Sequence, residues 1–209
     1  MTSPSNAETS GLRDLQQAFS RQLITEALAR VVVETGIHKF SMQEVADEAG
    51  VSLRTLYRYY PSREELLEGL ELEIGRTVSE GGLDVELDLV SPEGVAELVG
   101  QLFGVLGERP DLARAWIIAN LTTGFESEAR ERHDRTIRRL VEELGPHLDP
   151  RERHRLFAVL RCLAGSLAWK VMTDLELDEA EAAEAAGWAV RTLLRDIQGG
   201  GRPVLTERS

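Results

Sequence analysis

The chain has 209 residues, 42% apolar and 29% charged, values near globular averages that exclude wholesale disorder and fibrous repeats and allow one large domain or a domain with a smaller companion. Its net charge of −12 excludes a protein that coats nucleic acid or anionic membrane by bulk attraction, so any DNA contact has to be local. Cys162 is the only cysteine, which rules out an intrachain disulfide and a cysteine-based zinc site. With no apolar run near the ~18 residues of a membrane span and no signal-like start, a cytoplasmic protein is expected.

The punctuation of the chain predicts nine helices. Residues 1–14 are small and polar and read as a tail. A first helix over about 15–35 carries Phe19, Leu23, Ala27 and Val31 at i, i+4 spacing beside Ile24 and Leu28, and stops at Gly36, a natural C′ residue. Ser41-Met42-Gln43-Glu44 is a capping box opening a second helix. After Gly50, Ser52 caps a short third helix ending near Arg58, because Pro61 forbids extension. Ser62-Arg63-Glu64-Glu65 opens a fourth over 62–79.

Further on, Leu83, Val85, Leu87 and Leu89 alternate with acids, the period of a strand. A lone strand makes no sheet, so the segment is expected as an extended connector. Ser91-Pro92 and Pro110 open the fifth and sixth helices, the latter running to about Phe125, and a seventh covers 128–144. Asp149-Pro150-Arg151-Glu152 combines cap, N1 proline and box glutamate for an eighth through about Thr173. Asp178 starts the ninth, ending near Gln198, and 199–209 begins Gly-Gly-Gly and reads as a second tail.

Residues 41–58 thus form a helix, a tight glycine turn and a helix, the helix-turn-helix arrangement. The surface of the second helix sharpens that reading. From Ser52 to Arg63 there are three arginines, three tyrosines, Thr55 and no acid, in a strongly acidic chain. Val51 and Leu56 anchor this helix inward and leave Leu53, Arg54, Thr55, Tyr57 and Arg58 toward solvent. Such a face offers long donors for guanine edges and hydroxyls for phosphate oxygens, with Arg54 the expected base reader. Tyr60 is expected in the core. Lys39 is either a phosphate contact or an ordinary surface lysine.

The run FSMQEVADEAGVSLRTLYRYYPSREELL, within residues 20–67, resembles the DNA-binding domain of the TetR family of one-component transcriptional regulators. That resemblance implies an all-α fold with an N-terminal three-helix helix-turn-helix domain over 15–62, a linking helix over 62–79 and a larger helical ligand-binding and dimerisation domain over 80–198. It implies a homodimer on a palindromic operator, released by a small apolar or amphipathic effector. By resemblance, Ser41, Tyr59 and Arg63 fall at backbone-contact positions and Thr55 and Tyr57 at recognition-helix contact positions. Arg63 stands in place of the family's usual lysine, and Leu53-Arg54 in place of a frequent Lys-Gly pair. The candidate DNA set is therefore Lys39, Ser41, Ser52, Leu53, Arg54, Thr55, Tyr57, Arg58, Tyr59 and Arg63.

In the larger domain the aromatics Phe103, Trp116, Phe125, Phe157, Trp169 and Trp188 read as core. Asn120 and Thr123, set in an apolar helix beside Trp116 and Phe125, either hydrogen-bond internally or face a cavity. Cys162, Ser166, Trp169 and Lys170 share one stripe, Cys162 being expected buried and Lys170 paired with an acidic ligand or an acid on a neighbouring helix. Phe103, Trp116, Asn120, Thr123, Phe125, Cys162, Ser166, Trp169 and Lys170 form the candidate effector set. The last two helices carry small residues that favour close approach, so Leu160, Ala164, Leu167, Ala186, Ala189 and Leu193 are the candidate dimer contacts. No metal or other cofactor is expected, since the four histidines are scattered without ligand-type partners. The competing readings are a helical interaction protein and an all-α enzyme that retain a helix-turn-helix without binding DNA. The enzyme reading lacks a phosphate loop, a nucleophile elbow and any close His and carboxylate arrangement.

Overall fold

The computed structural model describes residues 5–80, 91–122 and 128–203. Among these residues there are ten helices and no strand: α1 Ser5–Thr35, α2 Met42–Glu48, α3 Leu53–Tyr59, α4 Arg63–Glu80, α5 Pro92–Glu108, α6 Pro110–Thr122, α7 Glu128–Leu144, α8 Pro150–Leu163, α9 Ser166–Asp174 and α10 Glu179–Gln198. The chain divides into two compact units, residues 1–76 with 111–125, and residues 77–110 with 126–209.

Local sequence sets most helix ends. Gly36 follows α1 with φ +87°, a left-handed conformation that glycine adopts without a Cβ penalty. Ser41 accepts from the Glu44 amide at 3.2 Å while the Ser41 amide donates to the Glu44 carboxylate at 2.7 Å. Asp149 with Glu152 and Asp178 with Glu181 repeat the same reciprocal cap. The Glu65 amide donates to Ser62 Oγ at 3.1 Å at the head of α4.

The helix expected over 150–173 is two helices. Gly165 takes an extended conformation (φ −115°, ψ 172°) that ends α8 and starts α9, and the axes bend by 48° there. This break raises the count from the expected nine to ten. A Cβ on Gly165 would lie 2.9 Å from the Arg161 carbonyl, so glycine permits the close return. At the N-terminus, α1 begins at Ser5 rather than near residue 15. Its apolar stripe outruns the core: Phe19 is 61% exposed and Leu23 36%, whereas Ile24, Ala27 and Leu28 are fully buried.

At the other end, residues 199–203 lie against the start of α8. Arg202 donates to the Glu152 carboxylate at 3.0 and 3.1 Å, and Arg155 donates to the Pro203 carbonyl at 3.2 Å. Glu152 is a buried acid that also closes the α8 cap. The extended connector expected over 83–89 lies outside the described residues.

In the first unit, Ile24, Ala27, Leu28 and Val32 of α1, Val45 and Ala46 of α2, Leu56 of α3, and Leu66, Leu70 and Ile74 of α4 form the core. In the second, α5 and α10 pack closely: Val95, Val99, Phe103 and Leu106 face inward from α5, and Ala182, Ala186, Val190 and Leu194 from α10. A Cβ on Gly187 would meet the Ala96 carbonyl at 3.5 Å, which measures how near the two backbones come.

Candidate nucleic-acid interface

The α2–α3 pair is held from below. Val45, Ala46 and Leu56 are completely buried, Gly50 turns the chain with φ +66°, and the Val51 amide donates to the Ala46 carbonyl at 3.0 Å. Ser52 caps α3 by accepting from the Thr55 amide at 3.1 Å, with the two hydroxyls 2.8 Å apart. Tyr60, 4% exposed, closes the base as expected. Its ring lies so near α4 that a Cβ on Gly69 would meet Cε1 at 2.5 Å. With Leu56 and Tyr60 inward, a seven-residue helix turns its other residues outward.

Arg54, Arg58 and Tyr57 are exposed, Leu53, Thr55 and Tyr59 half-buried, and Lys39, Ser41 and Ser52 exposed. Arg54 and Arg58, four residues apart, form one stripe, and neither they nor Lys39 have a carboxylate partner among the described residues. Arg58 lies 5.0 Å from the Tyr59 ring centroid.

Arg63 stands apart from the rest of the set. Its guanidinium donates to the Phe40 carbonyl at 2.7 Å and to the Ile37 carbonyl, and it stacks 3.8 Å from the Phe40 ring centroid. The side chain expected at a phosphate therefore ties down the α1–α2 loop, whose last carbonyls have no helical partner. Two residues on α1 escaped the sequence reading: Arg21 lies over the Tyr59 and Tyr60 rings at 5.8 and 5.3 Å, and the Ser20 hydroxyl, with Arg58 assisting and burial opposing, draws the Tyr59 phenol below its ordinary pKa. They sit some forty positions from α3, where helical periodicity says nothing about approach.

The expected effector residues are divided between the units. In the first, Trp116 Nε1 donates to Glu71, and Asn120 Nδ2 donates to the Trp116 carbonyl at 3.0 Å. Asn120 Oδ1 is buried without a hydrogen-bond partner. In the second, Phe103 and Trp169 are fully buried and Ser166 is half-buried. Lys170 pairs with Asp174 on its own helix at 2.5 Å. Cys162 is exposed, contrary to expectation, because it lies on the outer face of α8 while Leu156 and Leu160 face the core. Thr123 and Phe125 lie outside the described residues.

The expected dimer residues differ in exposure. Leu160 and Ala186 are completely buried and Ala164 nearly so, all within their own unit; Ala189 and Leu193 are half-buried and Leu167 is 37% exposed. The three buried residues serve the packing of their own unit. Between α8 and α10 the exposed large apolar side chains are Val159, Leu167, Val171, Leu175 and Trp188, the last expected in the core and instead on the outer face of α10.

Residues 24–70 match the family model described as bacterial regulatory proteins, tetR family. The chain is 28% identical over 91 residues to the fatty acid metabolism regulator protein of Bacillus subtilis, covering 43% of this chain and 47% of that protein. It is 29% identical over 126 residues to the HTH-type transcriptional repressor KstR of Mycobacterium tuberculosis, covering 56% and 55%. These matches span about half the length of each relative. The fold resembles that of FadR from Bacillus subtilis, crystallised with stearoyl-CoA, with a TM-score of 0.57 and 22% identity over 83% of this chain and 96% of that one. The capped helix-turn-helix with its cationic outer face is thus the part of this chain that is similar to the tetR family of bacterial regulatory proteins, over residues 24–70.

Proposed function

We propose that the protein is a homodimeric transcriptional repressor of the cytoplasm that grips an inverted-repeat operator with α2 and α3 and releases it on binding a small apolar or amphipathic molecule. The observation that carries this reading is the Arg54–Arg58 stripe with Lys39, cations without carboxylate partners on the outer face of a chain whose net charge is −12. Cations left uncompensated in an acidic protein concentrate attraction for phosphate in one place. Arg54 is the base reader: bidentate arginine to guanine discriminates by about 1–3 kcal/mol. Ser41, Ser52, Thr55, Tyr57, Arg58 and Tyr59 position the helix on the backbone.

The dimer reading draws support from the exposed Val159, Leu167, Val171, Leu175 and Trp188 on α8, α9 and α10. Clusters of large exposed apolar side chains mark partner surfaces, and a two-fold pair of heads fits half-sites spaced by helical turns of about 34–36 Å. The effector reading draws support from the stearoyl-CoA held by the FadR structure, and the repressor reading from the KstR relative. A long-chain acyl-CoA is the first effector class to test. Lowering operator affinity a hundredfold requires about 2.7 kcal/mol of difference in effector affinity between the two states.

The experiment is selection of duplexes from a randomised pool, followed by fluorescence anisotropy with and without acyl-CoA, and light scattering. The expected results are an inverted repeat, a dimer mass, a dimer-to-monomer shift in Trp188→Glu, and acyl-CoA-driven release. Absence of any preferred, salt-sensitive duplex refutes the regulator reading in favour of a helical interaction protein. A duplex preference that acyl-CoA leaves unchanged refutes that effector class.

A further inference from the structure

We propose that Arg21 of α1 forms, with Arg58 and Tyr59 at the C-terminal end of α3, a seat for one DNA phosphodiester, so that α1 holds the DNA backbone directly. This rests on the reading of α2 and α3 as the DNA-binding pair and adds a contact from outside it.

Two guanidinium groups approach one phenol ring, Arg21 at 5.8 Å and Arg58 at 5.0 Å from its centroid, and Arg21 also lies 5.3 Å from the Tyr60 ring. Both arginines are exposed, and neither has a carboxylate partner among the described residues. The acid whose charge is felt at Tyr60 is Glu73, which is paired with Arg76 at 2.6 Å. Two like charges gathered on one ring repel each other, and the faces of Tyr59 and Tyr60 compensate only partly at exposed sites. A singly charged phosphodiester beside them relieves that repulsion and accepts hydrogen bonds from both guanidinium groups.

The aromatic stack fixes the Arg21 side chain before DNA arrives and so reduces the ordering cost of binding. None of these groups reads a base edge, so the contact is indifferent to sequence.

The test is anisotropy with the full chain between about 50 and 200 mM salt, on the selected duplex and on a mixed-sequence duplex of about four helical turns. Removing one phosphate contact lowers the magnitude of the slope of log K against log salt by about 0.9 per head, equivalent to about fivefold in affinity near 0.15 M salt. Arg21→Ala and Arg21→Gln should show that loss equally on both duplexes, and Arg21→Lys should retain the slope. Thermal unfolding of each variant checks that the fold is intact. If Arg21→Gln weakens binding without changing the slope, Arg21 merely props Tyr59 and the seat is refuted; an unchanged affinity refutes it too. If the wild-type chain shows no salt-dependent binding on either duplex, the seat and the underlying DNA-binding reading both fall.

Discussion

Replacing Arg63 with alanine separates two roles for one side chain, because a phosphate contact costs DNA affinity alone whereas a loop clamp costs stability first. The guanidinium holds the carbonyls of Phe40, at 2.7 Å, and Ile37, and covers the Phe40 ring at 3.8 Å, while Phe40 itself is 2% exposed. Hydrogen bonds from charged donors are worth about 1.5–3 kcal/mol each, and an arginine over an aromatic face about 0.5–2 kcal/mol. Since Arg63 is half-buried and the freed carbonyls regain some water, the sum falls to about 2–4 kcal/mol. For a chain of this size that is a drop of about 5–15 °C in Tm. Arg63→Lys, with one compact ammonium in place of a planar fork, should recover about half. Urea unfolding followed by circular dichroism should show a lower midpoint at unchanged m. If Arg63→Ala instead unfolds within about 0.5 kcal/mol of wild type while its DNA salt slope falls by about 0.9 per head, the clamp is wrong and the phosphate role stands.

Four further outcomes follow from particular contacts. Gly69→Ala should destabilise by about 1–3 kcal/mol through overpacking, because its Cβ would lie 2.5 Å from the Tyr60 ring. Gly107→Ala should be neutral or stabilise by up to about 1 kcal/mol, since what it meets is the far end of the flexible Glu179 side chain; matched urea curves compare the two, and equal losses would contradict the distinction. Burial holds His133 below its ordinary pKa, with Asp134 opposing and Arg161 assisting. The native state therefore disfavours the proton, and the stability it contributes is present above about pH 6.5, the unfolded value, and lost as pH falls below it. His133→Gln should flatten that limb of a Tm against pH profile, and an unchanged limb would assign it to other groups. Arg202→Ala should cost about 1–2 kcal/mol by leaving the buried Glu152 carboxylate without its cation, less than for a fully buried pair because Arg202 is half exposed; a Tm within error of wild type would count against that latch.

The features legible in the residues alone are local in range. The boxes at Ser41 and Asp149, the helix start at Asp178, the Gly36 stop, the Gly50 turn and the inward Leu56 all depend on groups within a turn or two of one another, and each is found in the fold. The composition of α3 is also a property of one short segment, so its cationic outer face was legible before any packing was known. Tertiary structure decided what depends on distant partners. Periodicity marks apolar faces on α8 and α10 but not which residues their own unit covers, and so Leu160, Ala164 and Ala186 are buried while Val159 and Trp188 face outward. Arg63 has the chemistry of a phosphate contact, yet carbonyls 26 and 23 positions earlier claim it. Arg21 reaches Tyr59 only because folding brings that part of α1 beside the end of α3. The physical reason is common to all three: a side chain's chemistry is written in its own residue, whereas burial and pairing are properties of whichever surface folding brings against it.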